Sequence, residues 1–225
     1  MRRSDPIKLI EVMGRDAGWL VAASTLGKHD ESQAPHLICV PERPLNVDAF
    51  LGAIEAAYQR FGFVIAVVAE TIRDQNGKPI GAVNDVRAAD EFGHLNLAGG
   101  AAALTALIGR KLGLKARFDK PGTIQRMSMA HASPIDLNEA YTAGARAVVY
   151  ALDGLGGRMV SFVRHDGPEY GCDLEPIDLH RVANQQRLLP PQFLGDEPFG
   201  ISEAFTAYAL PLIGDPILPY PRLPL

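Results

Sequence analysis

The sequence predicts an α/β fold, a mainly parallel sheet flanked by helices, with an irregular proline-rich strap at its C-terminal end. Three observations carry this. Short apolar, β-branched runs alternate with stretches of helical period, the pattern of a parallel sheet crossed by helices. The run 63–69, Phe-Val-Ile-Ala-Val-Val-Ala, is apolar throughout, as a central parallel strand covered on both faces must be. The last ten residues hold four prolines, which excludes regular helix or central strand there.

The elements follow in order. Residues 7–13 read as a short buried strand, and Gly14 permits a tight turn into the periodic stretch 17–26. Residues 36–40 form a second strand candidate. Asn46 then caps a helix with Phe50, Leu51, Ile54 and Tyr58 on one face, stopped by Gly62. The strand 63–69 ends abruptly at Glu70, and the polar segment 73–83, with Asn76-Gly77 and Pro79, reads as a loop or small hairpin. A helix is expected over 95–112, closed by Gly113, and a short mixed piece over 115–126 is broken by Pro121-Gly122. Ser133-Pro134 opens a helix to about residue 152, and a strand follows over 159–164. Beyond 167 the pattern degrades into short pieces. The chain is therefore divided into an α/β domain, 1–166, and an extension packed on it, 167–225.

With 225 residues, 47% hydrophobic and 21% charged, the chain can bury the core of an ordinary domain. A net charge of -4 argues against nucleic acid as a partner, because backbone binding needs a basic field. No apolar run approaches the roughly 20 residues of a membrane span, and the start is unlike a signal peptide. Cys39 and Cys172 are too few for a disulfide framework, so a cytoplasmic location is expected. Phosphate-binding glycine loops, a GxSxG elbow and an HExxH pair are absent from the sequence, and its six histidines show no metal-ligand spacing.

What remains is a set of groups at element ends: Arg15 after the first strand, Glu70 after the central one, and Arg117 and Arg126 around the broken piece. A guanidinium fork matches phosphate oxygens, each such bond contributing roughly 1.5–3 kcal/mol. Backbone N–H groups at Gly14 would add affinity for an anion, and a carboxylate suits sugar hydroxyls. Spacing alone leaves a bland reading open, in which these arginines are solvated.

The string Ile10-Glu11-Val12-Met13-Gly14-Arg15-Asp16-Ala17-Gly18-Trp19-Leu20 resembles a signature of phosphofructokinases. The order downstream is similar to that family too: Ala69-Glu70, Asp90-Glu91-Phe92-Gly93-His94, Lys115-Ala116-Arg117, Gln125-Arg126, Asp136, Gly144 and Ala147-Val148. The Phe-Gly-His segment, the Ala-Gly-Trp and the long tail look most like the pyrophosphate-using members. The resemblance implies a fructose 6-phosphate site lined by Met13, Gly14 and Arg15, with Glu70 on sugar hydroxyls and Arg126 on the 6-phosphate. It implies that Arg117 reaches a neighbouring subunit's phosphate and that Arg15 is the candidate charge stabiliser. Two positions depart from the pattern: Thr123, where the family usually has His or Tyr, and Pro6, where many members have Arg. Lys8 or the Thr123 hydroxyl could compensate.

By the same resemblance, a glycine-rich donor site and a Thr-Ile-Asp-Asn-Asp segment carrying the catalytic base precede this region in the family. Neither occurs in these 225 residues. The chain is expected to be the C-terminal, sugar-phosphate-binding part of a glycolytic phosphofructokinase, with no catalytic residue or metal ligand of its own. Mg²⁺ would come with pyrophosphate or ATP, and a homo-oligomer or a complementing N-terminal polypeptide would complete the site. Two other readings stay open: part of an ATP-dependent enzyme, or a non-catalytic regulatory subunit that keeps the pocket.

Overall fold

The computed structural model describes residues 5–81, 99–165, 167 and 169–214. The segment 90–94, the first residues of the helix expected over 95–112 and the tail 216–225 lie outside them. The chain forms two compact units, Met1–Met127 with Arg187–Thr206, and Ser128–Gln186 with Ala207–Leu225.

In the first unit, β1 (Ile7–Val12), β2 (Leu37–Cys39), β3 (Val64–Ala69) and β4 (Ala116–Asp119) form a sheet in the order β2-β3-β1-β4. Every pairing is parallel, with Val12 opposite Ala69 and Ile10 opposite Asp119. The helices are α1 (Trp19–Ala23), α2 (Val47–Phe61), α3 (Gly100–Leu112) and the single turn α4 (Ile124–Met127). Ile7, Leu9, Val64, Ala66 and Val68 are fully buried, with Phe50, Ile54, Leu104 and Ile108 of α2 and α3 also in the core.

Local chemistry sets the boundaries. The Asn46 side chain accepts from Ala49 N at 3.0 Å, and Gly62, at φ 72°, closes α2 by donating to Tyr58 O at 2.8 Å. Gly113 does the same for α3 at φ 64°. The helix expected over 17–26 is shorter: α1 passes into a 3₁₀ turn at Ser24, whose hydroxyl donates back to Val21 O at 2.6 Å and competes with the helical ladder. The polar segment after β3 is a tight hairpin, with Arg73 bridging Pro79.

The segment 187–206 is stapled to this unit. Arg43 donates to Glu197 O at 2.6 Å and Gly195 O at 2.7 Å, while Ile38 N donates to Phe199 O at 3.0 Å, covering the edge of β2. Trp19 meets Phe193 and Phe205 edge-on or tilted, and its indole donates to Arg187 O at 2.7 Å. Gly18 fits beside it where a larger residue would not, since a Cβ there would lie 2.9 Å from Val40 Cβ and 3.1 Å from Pro41 Cδ. The Glu42 carboxylate accepts from Gly18 N and Leu189 N at 2.8 and 2.7 Å.

In the second unit, Ser133 Oγ caps α5 (Pro134–Leu152), accepting from Ile135 N and Asp136 N. The strand expected over 159–164 is β5 (Arg158–Arg164). It joins a separate antiparallel ribbon with β6 (Cys172–Asp178) and takes no part in the parallel sheet. One Glu139 oxygen accepts from both Tyr170 OH and Cys172 Sγ. Burial, then that carboxylate, pushes both groups above their ordinary pKa. The chain also forms an eleven-residue helix, α6 (Glu203–Ile213), where only short pieces were expected.

Candidate functional site

The strand order creates the place for a site. From β1 the chain crosses over β3 to reach β2, and from β3 it crosses over β1 to reach β4. Right-handed crossovers in opposite directions put the following helices on opposite faces, so the loops leaving the carboxyl ends of β1 and β3 diverge. A crevice at such a switch point is where open α/β sheets bind ligands.

Met13, Gly14 and Arg15 leave β1 at that crevice, and Glu70 leaves β3 beside them. Glu70 Oε1 accepts from Gly14 N at 3.3 Å and from Arg15 N at 2.9 Å. The hydroxyl of Thr71, itself buried, donates to Arg15 O. Arg15 is thus held at both backbone ends, in the left-handed region at φ 42°, a conformation costing a non-glycine residue of order 1–3 kcal/mol. Gly14 stands at φ 140°, where a Cβ would lie 2.8 Å from Ala17 O. Arg15 is exposed, and the clamp fixes its backbone.

The turn after β4 closes on the same residues. Arg126, on α4, donates from Nε to Met13 Sδ at 3.2 Å, and Met13 N donates to Gln125 Oε1 at 3.5 Å. The Arg126 contact uses Nε, so it does not consume the terminal pair of nitrogens, the edge that forks onto phosphate oxygens. Thr123 is exposed at the start of this turn, and its carbonyl accepts from Arg126 N at 2.9 Å.

Arg117 stands apart. It is opposite Lys8 in β4, four residues or about 13 Å from the carboxyl end of β1, and pairs with Asp5 at 3.0 Å, as Lys115 does at 2.9 Å. Lys8 is engaged by Asp119 at 2.5 Å. The structure therefore brings Met13, Gly14, Arg15, Glu70 and Arg126 together, with Thr123 on the adjoining turn.

Sequence reasoning missed three supports. Thr71 and Gln125 each adjoin a residue it singled out, Glu70 and Arg126. The third, Glu11, lies within the signature string: it is 1% exposed, accepts from Ala101 N of α3 at 3.0 Å and pairs with Lys120 at 2.8 Å. A charged residue in an otherwise apolar strand was its signal, since a buried carboxylate needs partners.

The fold and cluster define an α/β protein that presents a carboxylate, two guanidinium groups and a glycine turn at the carboxyl end of its parallel sheet. A family sequence model described as "Phosphofructokinase" matches residues 3–151. The pyrophosphate–fructose 6-phosphate 1-phosphotransferase of Xanthomonas campestris pv. campestris (strain B100) is 36% identical over 210 residues, 93% of this chain and 50% of the relative. The enzyme of the same name from Rhodospirillum rubrum is 36% identical over 208 residues, 90% of this chain and 51% of the relative. The crystal structure of the pyrophosphate-dependent phosphofructokinase from Marinobacter aquaeolei matches with TM-score 0.79 and 29% identity, over 97% of this chain and 50% of that one. The chain belongs to the phosphofructokinase family. It spans about half the length of the curated relatives it matches.

Proposed function

We propose that this chain supplies the sugar-phosphate side of a pyrophosphate-dependent fructose 6-phosphate phosphotransferase. The observation that carries the reading is the clamp of Glu70 on Gly14 and Arg15 at the switch point, with Arg126 brought against Met13. Fructose 6-phosphate as acceptor and pyrophosphate as donor are supported by the names of the two relatives above.

Each group has a task in this reading. The two clamp bonds go to Glu70 Oε1, so Oε2 accepts a sugar hydroxyl. The terminal nitrogens of Arg126 fork onto the 6-phosphate, and the Thr123 hydroxyl adds a donor. Met13 and Gly14 form the wall and floor, Gly14 letting the backbone approach closely. Arg15 lies beside the acceptor and stabilises charge on the transferring phosphoryl group. Arg117 reaches a phosphate across an oligomer interface.

Among the described residues no group of three or more His, Cys, Asp or Glu side chains could hold a metal ion. These residues offer no cage for Mg²⁺, which in this reading enters with the donor. The donor site and the base toward the acceptor hydroxyl belong to polypeptide of the kind that forms the other half of the relatives, in the same chain or a separate one. The reaction belongs to glycolysis, in the cytoplasm. Among the described residues no helix is long and apolar enough to cross a membrane.

Calorimetry on the 225-residue chain with fructose 6-phosphate, pyrophosphate and ATP in turn tests the assignment. The sugar phosphate should bind most tightly of the three. Preferential binding of ATP would overturn it.

A further inference from the structure

We infer that Glu11 is a positioning residue of the acceptor site: through Lys120, its buried carboxylate sets the turn that carries Thr123, Gln125 and Arg126. The inference rests on the proposed function for what Arg126 grips. Strand alternation puts Ile7, Leu9 and Glu11 on one face of β1, and all three are buried, Glu11 at 1% exposure. A carboxylate therefore stands in line with core residues. The parallel register sets Ile10 opposite Asp119, so the next residue on each side brings Glu11 beside Lys120, just past the end of β4.

The carboxylate is divided between two elements. Oε2 accepts from Ala101 N, in the first turn of α3, at 3.0 Å, where the positive end of the helix suits an anion. Oε1 lies 2.8 Å from Lys120 Nζ, an ion pair without the alignment of a hydrogen bond. Core stability alone does not call for this arrangement, because well-packed apolar residues of similar volume serve as well as a buried ion pair or better. What only the carboxylate supplies is a hold on Lys120.

The turn beyond needs that hold. Thr123 to Met127 are all exposed, so no side chain of α4 roots it in the core, and one helical turn has little stability of its own in water. Its internal bonds, Ile124 N to Pro121 O at 3.2 Å and Arg126 N to Thr123 O at 2.9 Å, make 121–126 one compact piece. That piece is fastened at both ends to the same stretch of chain, Lys120 on Glu11 and the Gln125-Arg126 pair on Met13. Releasing the first fastening leaves Arg126 on a thioether, a weak acceptor, and Gln125 on a bond of 3.5 Å.

The test compares the full chain with Glu11→Gln, which keeps an acceptor for Ala101 N and removes the charge that holds Lys120. With isotopically labelled methionine methyl groups, the Met13 signal reads the Arg126 contact without any ligand, and Met159, on the ribbon, serves as control. The Met13 signal should move in Glu11→Gln toward its position in Arg126→Ala and stay near wild type in Lys120→Arg, while Met159 stays in place. Glu11→Gln combined with Lys120→Leu leaves no charge unpaired in the interior; it should give the same shift and stands in if the single variant fails to fold. A Met13 signal at the wild-type position in Glu11→Gln, or a shift shared by Met159, would overturn the inference. In calorimetry Glu11→Gln should bind fructose 6-phosphate about tenfold more weakly, with no further loss when it is added to Arg126→Ala. Equal losses in both backgrounds would also overturn the inference, because Glu11 would then act on the fold and not through Arg126. Absence of binding by the wild-type chain, with the Met13 shifts as expected, would sink the proposed function and leave the positioning role standing.

Discussion

Glu70 holds Arg15 by its backbone. The carboxylate accepts from Arg15 N at 2.9 Å, and the adjoining Thr71 hydroxyl donates to Arg15 O, so one strand end fixes a left-handed residue at another. Thr71→Val removes one side of this clamp with little change of volume. The expected outcome is a loss of about 1 kcal/mol in denaturant unfolding and a roughly tenfold weaker affinity for fructose 6-phosphate by calorimetry. Unchanged affinity would show that the Arg15 conformation has no part in binding.

Gly14→Ala tests the turn itself. The new Cβ would lie 2.8 Å from Ala17 O at a φ of 140°, so the chain must move or bear strain of order 1–3 kcal/mol. A lowered urea midpoint together with weakened ligand binding is expected. Gly27→Ala, where nothing lies within 4 Å of the added methyl group, serves as the control and should leave binding unchanged.

His36 gives the first unit a pH dependence. Its Nδ1 accepts from Ile65 N at 3.1 Å, between the rings of Phe61 and Phe63. Burial is the main cause lowering its pKa below the ordinary 6.5, with nearby Lys28 adding to the effect. Protonation would set a ring N–H against the Ile65 N–H. With the folded value below the unfolded one, the unfolded chain binds the extra proton first. Stability is therefore full above 6.5, falls as pH drops from 6.5 to the folded value, and levels off below it. Urea midpoints across that window should decline in the wild type and stay flatter in His36→Gln. Equal slopes would place the titration elsewhere.

Much of this architecture was legible because local and tertiary signals agreed. Asn46 and Gly62 bound α2 in sequence and structure alike, and the apolar run before Glu70 is an interior strand. The apolar runs that stop at Gly14 and at Glu70 placed Gly14-Arg15 and Glu70 at strand ends before their contact was visible. Where reading failed, tertiary context had overridden the local pattern. In β6, Cys172, Leu174 and Ile177 lie more deeply than their charged neighbours, but Pro176 interrupts the run and is tolerated because both ribbon strands are edges. In α6, Pro211 in the last turn hid a helix. Thr71 drew no notice because a hydroxyl after a strand acquires meaning only when another strand end delivers a carbonyl to it.

Turnover should distinguish holding an acceptor from completing a reaction. The 225-residue polypeptide alone should form no fructose 1,6-bisphosphate from pyrophosphate or ATP with Mg²⁺. General-base assistance alone contributes about 10² to 10⁴ in rate, and loss of donor positioning costs more. Steady product formation by the purified chain would mean that its own carboxylates carry the chemistry.

Titration of fructose 6-phosphate into the wild-type chain, Arg126→Ala and Glu70→Gln tests the central claim most directly. In the proposed function Arg126 forks onto the 6-phosphate, a contact worth roughly 1.5–3 kcal/mol, so Arg126→Ala should bind at least about tenfold more weakly. Glu70→Gln should also weaken binding, because its carboxylate anchors the turn and, in the proposed function, accepts a sugar hydroxyl. Wild-type affinity in both variants, or no binding by the wild-type chain itself, would contradict the assignment of this end of the sheet as the acceptor site.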